Sequence, residues 1–315
     1  FRFVRQLVLP DGSATFLRLY NDMFVHPMEA EVSAAMKRLI MEVPKVACLT
    51  GHGERDMNNV GDRDYYAFAK NPTFRYALVN NGFDVIAYRM TDGEEIPEDI
   101  RILVIADMAK SLTVEEMVRL QRYIDRGGNL FIVGDPNSRE YMNPLTQLFG
   151  VEFMEGVLVK PTENFQPDLV TSRPTAGALE LSYFYETMDS WKMSAVMSGA
   201  AGLKYAEDKG FKVIPVLQTD TLGVWNELET TNFIDDTVRF NPAAGEIEQL
   251  YTTAVALARP MGDREQKIVI LGDADCISNV ELFKSREEIE SGNFYIILGS
   301  FAWLSDGEAP VDVRR

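Results

Sequence analysis

The residues of this chain best suited to chemistry fall in four short stretches. The first, Lys45–Arg55 (KVACLTGHGER), carries His52, one of only two histidines in 315 residues, with Glu54 and Arg55 close behind it. The others are apolar runs that end in aspartate: ILVIAD at Asp107, LFIVGD at Asp135 and IVILGD at Asp273, the last followed by Asp275. Clustered carboxylates bind hard cations through oxygen, and a histidine next to a glutamate can act as a general-base pair. One reading of His52, Glu54, Arg55, Asp107, Asp135, Asp273 and Asp275 is therefore a cation or phosphate site, and with it a carboxylate-dependent hydrolase or phosphotransferase. The other is structural. Aspartate after a buried strand caps the next helix or closes an Asx turn, and Gly51 and Gly53 let the chain turn sharply at positive φ. The second reading makes the Gly-His-Gly-Glu turn a structured corner at a binding rim, with Glu54 accepting bonds from backbone amides or from Arg55 and Arg63.

Other chemistries lack their residues. No GxGxxG or GxxxxGK[ST] phosphate loop is present, nor a GxSxG elbow. HExxH, HxH and CxxC spacings are absent, so a zinc site has too few ligands. Cys48 lies inside an expected strand and Cys276 in no elbow, and two buried thiols are the default, with their pairing left open. No cofactor and no tightly bound transition metal is expected. A net charge of −17, from 48 acidic and 31 basic residues, opposes nucleic acid and anionic lipid, which need clustered Lys and Arg. The aromatics Tyr183, Phe184, Tyr185 and Trp191 could stack a sugar, although aromatics in β-like segments are more often core.

The elements that must position these residues follow from periodicity. Phe3–Leu9 and Thr15–Tyr20 flank a PDGS turn and read as a hairpin, assigned to residues 1–22. A helix follows Pro27, with Val32, Ala35, Met36, Leu39 and Ile40 as its apolar stripe. Strands are expected at Val46–Thr50, Asp84–Met90, Arg101–Ala106, Asn129–Val133 and Lys267–Leu271. Helices are expected over Asp62–Asn80 with a break near Pro72, from the Thr113-Val-Glu-Glu116 capping box to Arg126, from Asn143-Pro144 to Gly150, and over Phe294–Leu304. Apolar strands alternating with helices predict an α/β fold, a mostly parallel open sheet with helices on both faces, of the flavodoxin or class I amidotransferase kind. Residues 23–150 and 246–315 form that core. Residues 151–245 lose the rhythm and read as a β-leaning insertion, with β-like pieces at Phe153–Lys160, Ala178–Tyr185 and Lys212–Gln218. No apolar run approaches the roughly 20 residues that cross a bilayer, and both ends of the chain look cut, as in an excised segment.

KVACLTGHGER, the stretch IPEDIRILVIADMAKSLTVEEMVRLQRYIDRGGNLFIVGDP, and IVILGDADCISN followed by GNFYIILGSFAWL together resemble the GldG-like auxiliary components of ABC transporters. These are of the gliding-motility type, with a soluble part related to the GIFT domain of intraflagellar-transport proteins. The resemblance spans nearly the whole chain and implies an extracytoplasmic domain at the periplasmic face of the inner membrane, held by transmembrane helices outside this sequence. Its implied partners are a permease and, through it, an ATPase, with a cell-envelope component or glycan as a further possibility. It carries no catalytic role over to His52 or Glu54. The topology also resembles class I glutamine amidotransferases, whose Cys-His-Glu triad is missing here. The expected function is thus a non-enzymatic binding or interaction domain, with a glycan- or small-ligand-binding crevice as the alternative.

Overall fold

The computed structural model of the protein describes residues 5–90 and 93–312. Strands β1 (Arg5–Val8) and β2 (Ala14–Leu17) pair antiparallel across the Asp11-Gly12 turn, with Gly12 at φ +90°. Residues 3 and 4 of the expected first strand lie outside the described residues. The hairpin packs on α1 (Glu29–Ile40), whose inward face keeps Ala35 of the expected stripe but not Met36 or Ile40. Met36 and Ile40 are 54% and 71% exposed, while Glu31, Ala34 and Ala35 are buried. The cause is Arg75, a buried guanidinium that holds Glu31 at 2.9 Å and Asp22 at 2.6 Å and so draws an acidic position inward.

Next come β3 (Lys45–Leu49), α2 (Tyr66–Lys70), β4 (Asp84–Tyr88), β5 (Ile100–Ala106), α3 (Val114–Asp125) and β6 (Asn129–Val133), in the expected alternation. Thr113 caps α3 as its sequence promised, accepting from Glu116 N at 3.2 Å. The helix expected over Asp62–Asn80 shrinks to α2 and a short 3₁₀ turn at Leu78–Asn80. Asn71 precedes Pro72, which disfavours the helical basin, and Asn71 is extended at φ −65°, ψ 112°. Helix α4 (Arg139–Thr146) starts before Asn143, with Pro144 inside it, and the turn after it closes on left-handed Gly150.

The remaining elements are β7 (Val151–Phe153), β8 (Val157–Val159), β9 (Leu169–Pro174), α5 (Ala176–Leu181), α6 (Tyr183–Ser190), β10 (Ala195–Ser198), β11 (Leu203–Tyr205), β12 (Lys212–Thr219), β13 (Trp225–Glu227), β14 (Thr252–Met261), β15 (Arg264–Leu271) and α7 (Asn293–Leu304). Ala178–Tyr185, read as β-like, is helical. Thr175 and Ser182 accept from Ala178 N and Phe184 N, so each opens a helix, and in the second the β-prone aromatics disguise it. Phe184 and Tyr185 are core residues, whereas Trp191 is exposed.

The main sheet has the order β10-β9-β12-β14-β15-β6-β5-β3-β4. The five strands expected to be parallel are parallel, and Lys267–Leu271 joins them beside β6. In chain order these five run 2-1-3-4-5, with the reversal between β3 and β5. The expectation of a mostly parallel sheet is corrected to a mixed one. The Gly262-Asp263 turn folds β15 back on β14 as a hairpin, and β12, β9 and β10 extend that half antiparallel.

Alternation along the parallel strands divides the core in two. Val46, Cys48, Ile102, Val104, Phe131 and Val133 face a layer containing α2, α6 and α7, while Ala47, Leu49, Leu103, Ile105, Leu130 and Ile132 face α3 and α4. Phe301 of α7 lies at the first layer's centre, its ring centroid 5.0 Å from that of Phe131 and 5.7 Å from that of Phe83. Among the described residues no helix is long and apolar enough to cross a membrane. Replacing Phe301 with Ala leaves a cavity under the sheet, with an expected loss of ~3–5 kcal/mol in urea unfolding. A loss below about 1 kcal/mol would place the ring outside the core.

Candidate functional site

The Gly-His-Gly-Glu corner leaves β3 at the point where the order of the parallel strands reverses, the place where open α/β sheets form a crevice. Gly51 and Gly53 have φ of +124° and +81°. Inside the turn Glu54 grips His52 twice, its Oε2 accepting from the His52 backbone N at 2.7 Å and its Oε1 lying 3.0 Å from Nδ1. The other ring nitrogen, Nε2, lies 3.1 Å from Oε2 of Glu116. That oxygen also accepts from Thr113 N at 2.8 Å, so one helix cap anchors the corner to α3. Partial burial pushes the Glu116 carboxyl up, but the bonds from Thr113 and His52 outweigh it and hold the group below the usual range. The corner is fastened to the end of β5 as well, through Ala109 N to His52 O at 2.9 Å and Arg55 N to Ala106 O at 3.0 Å.

Beyond the corner, Arg55 turns into the sheet end and gathers the strand-end aspartates. Its Nε donates to Asp107 Oδ2 at 2.8 Å, its Nη2 to Asp135 Oδ2 at 2.6 Å, and its Nη1 pairs with Asp275 Oδ1 at 2.9 Å. Arg63 closes the same network from outside, at 3.0 Å from Asp135 and 3.1 Å from Asp275. Asp107 adopts φ +55° as the chain leaves β5, and its Oδ1 accepts from Asp135 N at 3.2 Å. Asp135 Oδ1 accepts from Ala274 N at 2.7 Å. Burial, aided by the neighbouring Asp107, pushes the Asp135 carboxyl up to about 7 even with Arg55 against it. Asp273 follows the structural reading: its Oδ1 accepts from the amides of Asp275 and Cys276 at 2.7 and 3.0 Å, an Asx-type turn.

The seven expected rim residues therefore separate. Arg55, Asp107, Asp135 and Asp275 form one ion-pair network with Asp273 sealed behind it, while His52 and Glu54 form a second cluster with Glu116. Arg63, expected as a donor to Glu54, serves the aspartates instead. Glu116 carried only a helix-cap signal, and nothing in the sequence marks its reach to His52. An open crevice of about 380 Å³ fronts both clusters, lined by Glu54, Arg55, Arg63, Asp107, Asp135 and Tyr141 among others. The thiols are both buried and unpaired, and burial pushes Cys48 up to about 12, unsuited to a nucleophile. Among the described residues the carboxylates that converge as cation ligands would are Glu227, Glu229 and Glu246, within 4.8 Å of one another, and none of the strand-end aspartates is among them. Two of them already accept from backbone amides, Glu246 from Leu228 and Asn241 and Glu227 from Glu229, and Glu229 accepts from the Asn241 side chain.

Three substitutions test the corner and the network. A Cβ on Gly53 would stand 2.8 Å from Ala109 Cβ at a φ that branched residues avoid, so Gly53→Val should cost ~1–3 kcal/mol from backbone strain alone. Glu54→Gln, which keeps one acceptor, should cost less in the same thermal melts. Removing the cation from a buried cluster leaves uncompensated charge, so Arg55→Ala should lose ~3–5 kcal/mol. If Arg55→Ala melts as the parent does, the network is not holding the rim.

Residues 43–295 match a family model described as an ABC-type uncharacterized transport system. No curated protein matches the chain. Among solved structures, the N-terminal domain of mmIFT52 is similar with a TM-score of 0.54 and 14% identity, over 86% of this chain and 100% of that one. At that identity the likeness is one of fold. A ThuA-like protein from Parabacteroides merdae matches more loosely, with a TM-score of 0.37 and 9% identity over 81% of this chain and 99% of that one.

Proposed function

The chain belongs to this family of auxiliary components of ABC-type transport systems, and from that premise we propose that it is a non-enzymatic interaction domain, of the GldG-like kind, held at the extracytoplasmic face of the membrane by segments outside this sequence. The observation that carries the reading is the state of the polar groups at the switch-point crevice. Arg55 is shared among three aspartates, and both oxygens of Glu54 are engaged with His52. A general base must reach a substrate proton, and these groups reach each other. On this reading the positions at the strand ends serve to fix the rim's shape. A rigid rim suits a surface that a permease or an envelope component reads.

The test is co-purification of the tagged full-length protein with the permease and ATPase subunits of its transport system, in mild detergent. Stoichiometric recovery of the permease, together with protease sensitivity of this domain from the extracytoplasmic side only, is the expected result. Recovery of neither subunit, with turnover of a hydrolase or amidase substrate that Glu54→Gln abolishes without lowering the melting temperature, would overturn it.

A further inference from the structure

The strand-end rim carries more negative charge than its arginines neutralise. Among the described residues Asp107, Asp135 and Asp275 share Arg55 and Arg63, whereas Asp273 makes no ion pair. Asp273 is fully buried. Its Oδ1 takes two backbone amides, but its Oδ2 is sealed from solvent with no hydrogen-bond partner. The groups facing it are acidic or neutral at close range: Asp135 from the end of β6, Asp275 and Cys276 on its own turn. Tyr65 donates to the carbonyl of Ala274 next to it, at 2.8 Å. Behind these, Arg55 and Arg63 spend their donors on Asp107, Asp135, Asp275 and the Arg63 carbonyl.

A carboxylate so enclosed is neutralised either by a metal ion or by a proton. A metal needs several ligand atoms to converge, and the described carboxylates that converge in that way are Glu227, Glu229 and Glu246 rather than the rim aspartates. A proton on Oδ2 removes the charge without any converging ligands. We propose that the rim is a proton-binding site, in which Asp273 stands as a neutral carboxylic acid with its proton on Oδ2, and that loss of this proton loosens the 273–278 turn from the arginine network. Burial first, then Asp135 and Asp275, push the Asp273 carboxyl well above the usual range, which agrees with the geometry.

The sign of the linkage follows. An unfolded Asp titrates near about 4, while Asp135 is held up at about 7 and Asp273 is raised. Above about pH 4 these two groups therefore hold more protons in the folded protein than in the unfolded chain, so they make stability fall as pH rises from about 4 through about 7. An ordinary salt-bridged aspartate does the reverse.

Infrared spectra of the parent at about pH 8, where ordinary carboxyls are ionised, test the assignment directly. The expected result is a carboxylic-acid carbonyl band that disappears in Asp273→Asn, and release of about one proton when the parent unfolds in urea at that pH. The fall of the urea midpoint between about pH 5 and about pH 8 should be flatter in Asp273→Asn than in the parent. A parent with neither the band nor the proton release overturns the proposal, and that measurement needs no variant to fold. A band that survives in folded Asp273→Asn assigns the proton elsewhere and overturns it equally.

Discussion

The rim depends on one constraint: a guanidinium buried at the ends of a parallel sheet must be surrounded by enough carboxylate to stay charged there. Arg55 is 8% exposed, and it reaches Asp107 at the end of β5, Asp135 at the end of β6 and Asp275 just past β15. Those strands are neighbours in the sheet, so a single side chain from the segment after β3 ties the ends of adjacent strands to one point. The geometry of the crevice follows from this tie. Removing the cation would set several buried carboxylates against each other, which is why such a cluster is far costlier to break than to replace as a whole.

The fold below the rim rests on cheaper physics. Each parallel strand alternates between two apolar layers, and a slip of one residue would exchange the layers' contents. Cys48 and Ala47 illustrate the division, since they are adjacent in sequence and buried on opposite sides of the sheet. The aspartates lie where that alternation ends. They are the first residues past the apolar runs with a side chain that needs water or a partner, and the network supplies the partner.

Much of this was legible in the sequence, and the parts that were not share a cause. The five buried strands, the capping box at Thr113 and the helix around Phe301 announce themselves through continuous local signals. The antiparallel half of the sheet does not, because β14 is an apolar run of the kind a parallel strand also shows, and its direction is decided by two residues, Gly262 and Asp263. The α1 stripe was only partly right because a distant residue, Arg75, draws Glu31 inward and turns Met36 and Ile40 out. At the site, the strand-end aspartates were visible one by one. Arg55 was named beside them, but its pairing with them was not legible, since it belongs by sequence to the same turn as His52 and only the fold points it the other way.

The stretch from Gly134 to Tyr251 begins and ends beside the same peptide. Gly134 N donates to Leu271 O, and Gly272 N donates to Thr253 O, so the chain departs and returns on either side of Leu271-Gly272. A detour whose ends are already together can change length at little entropic cost, about 0.6 kcal/mol for each doubling. What limits it are Asp135, which belongs to the arginine network, α6, which packs in the first core layer, and β12, which covers the edge of β14. The exposed residues around Ile234 carry no such duty, and lengthening or trimming them would leave the arginine network untouched. The architecture thus separates a fixed rim from an exposed loop around Ile234 that is free to diversify.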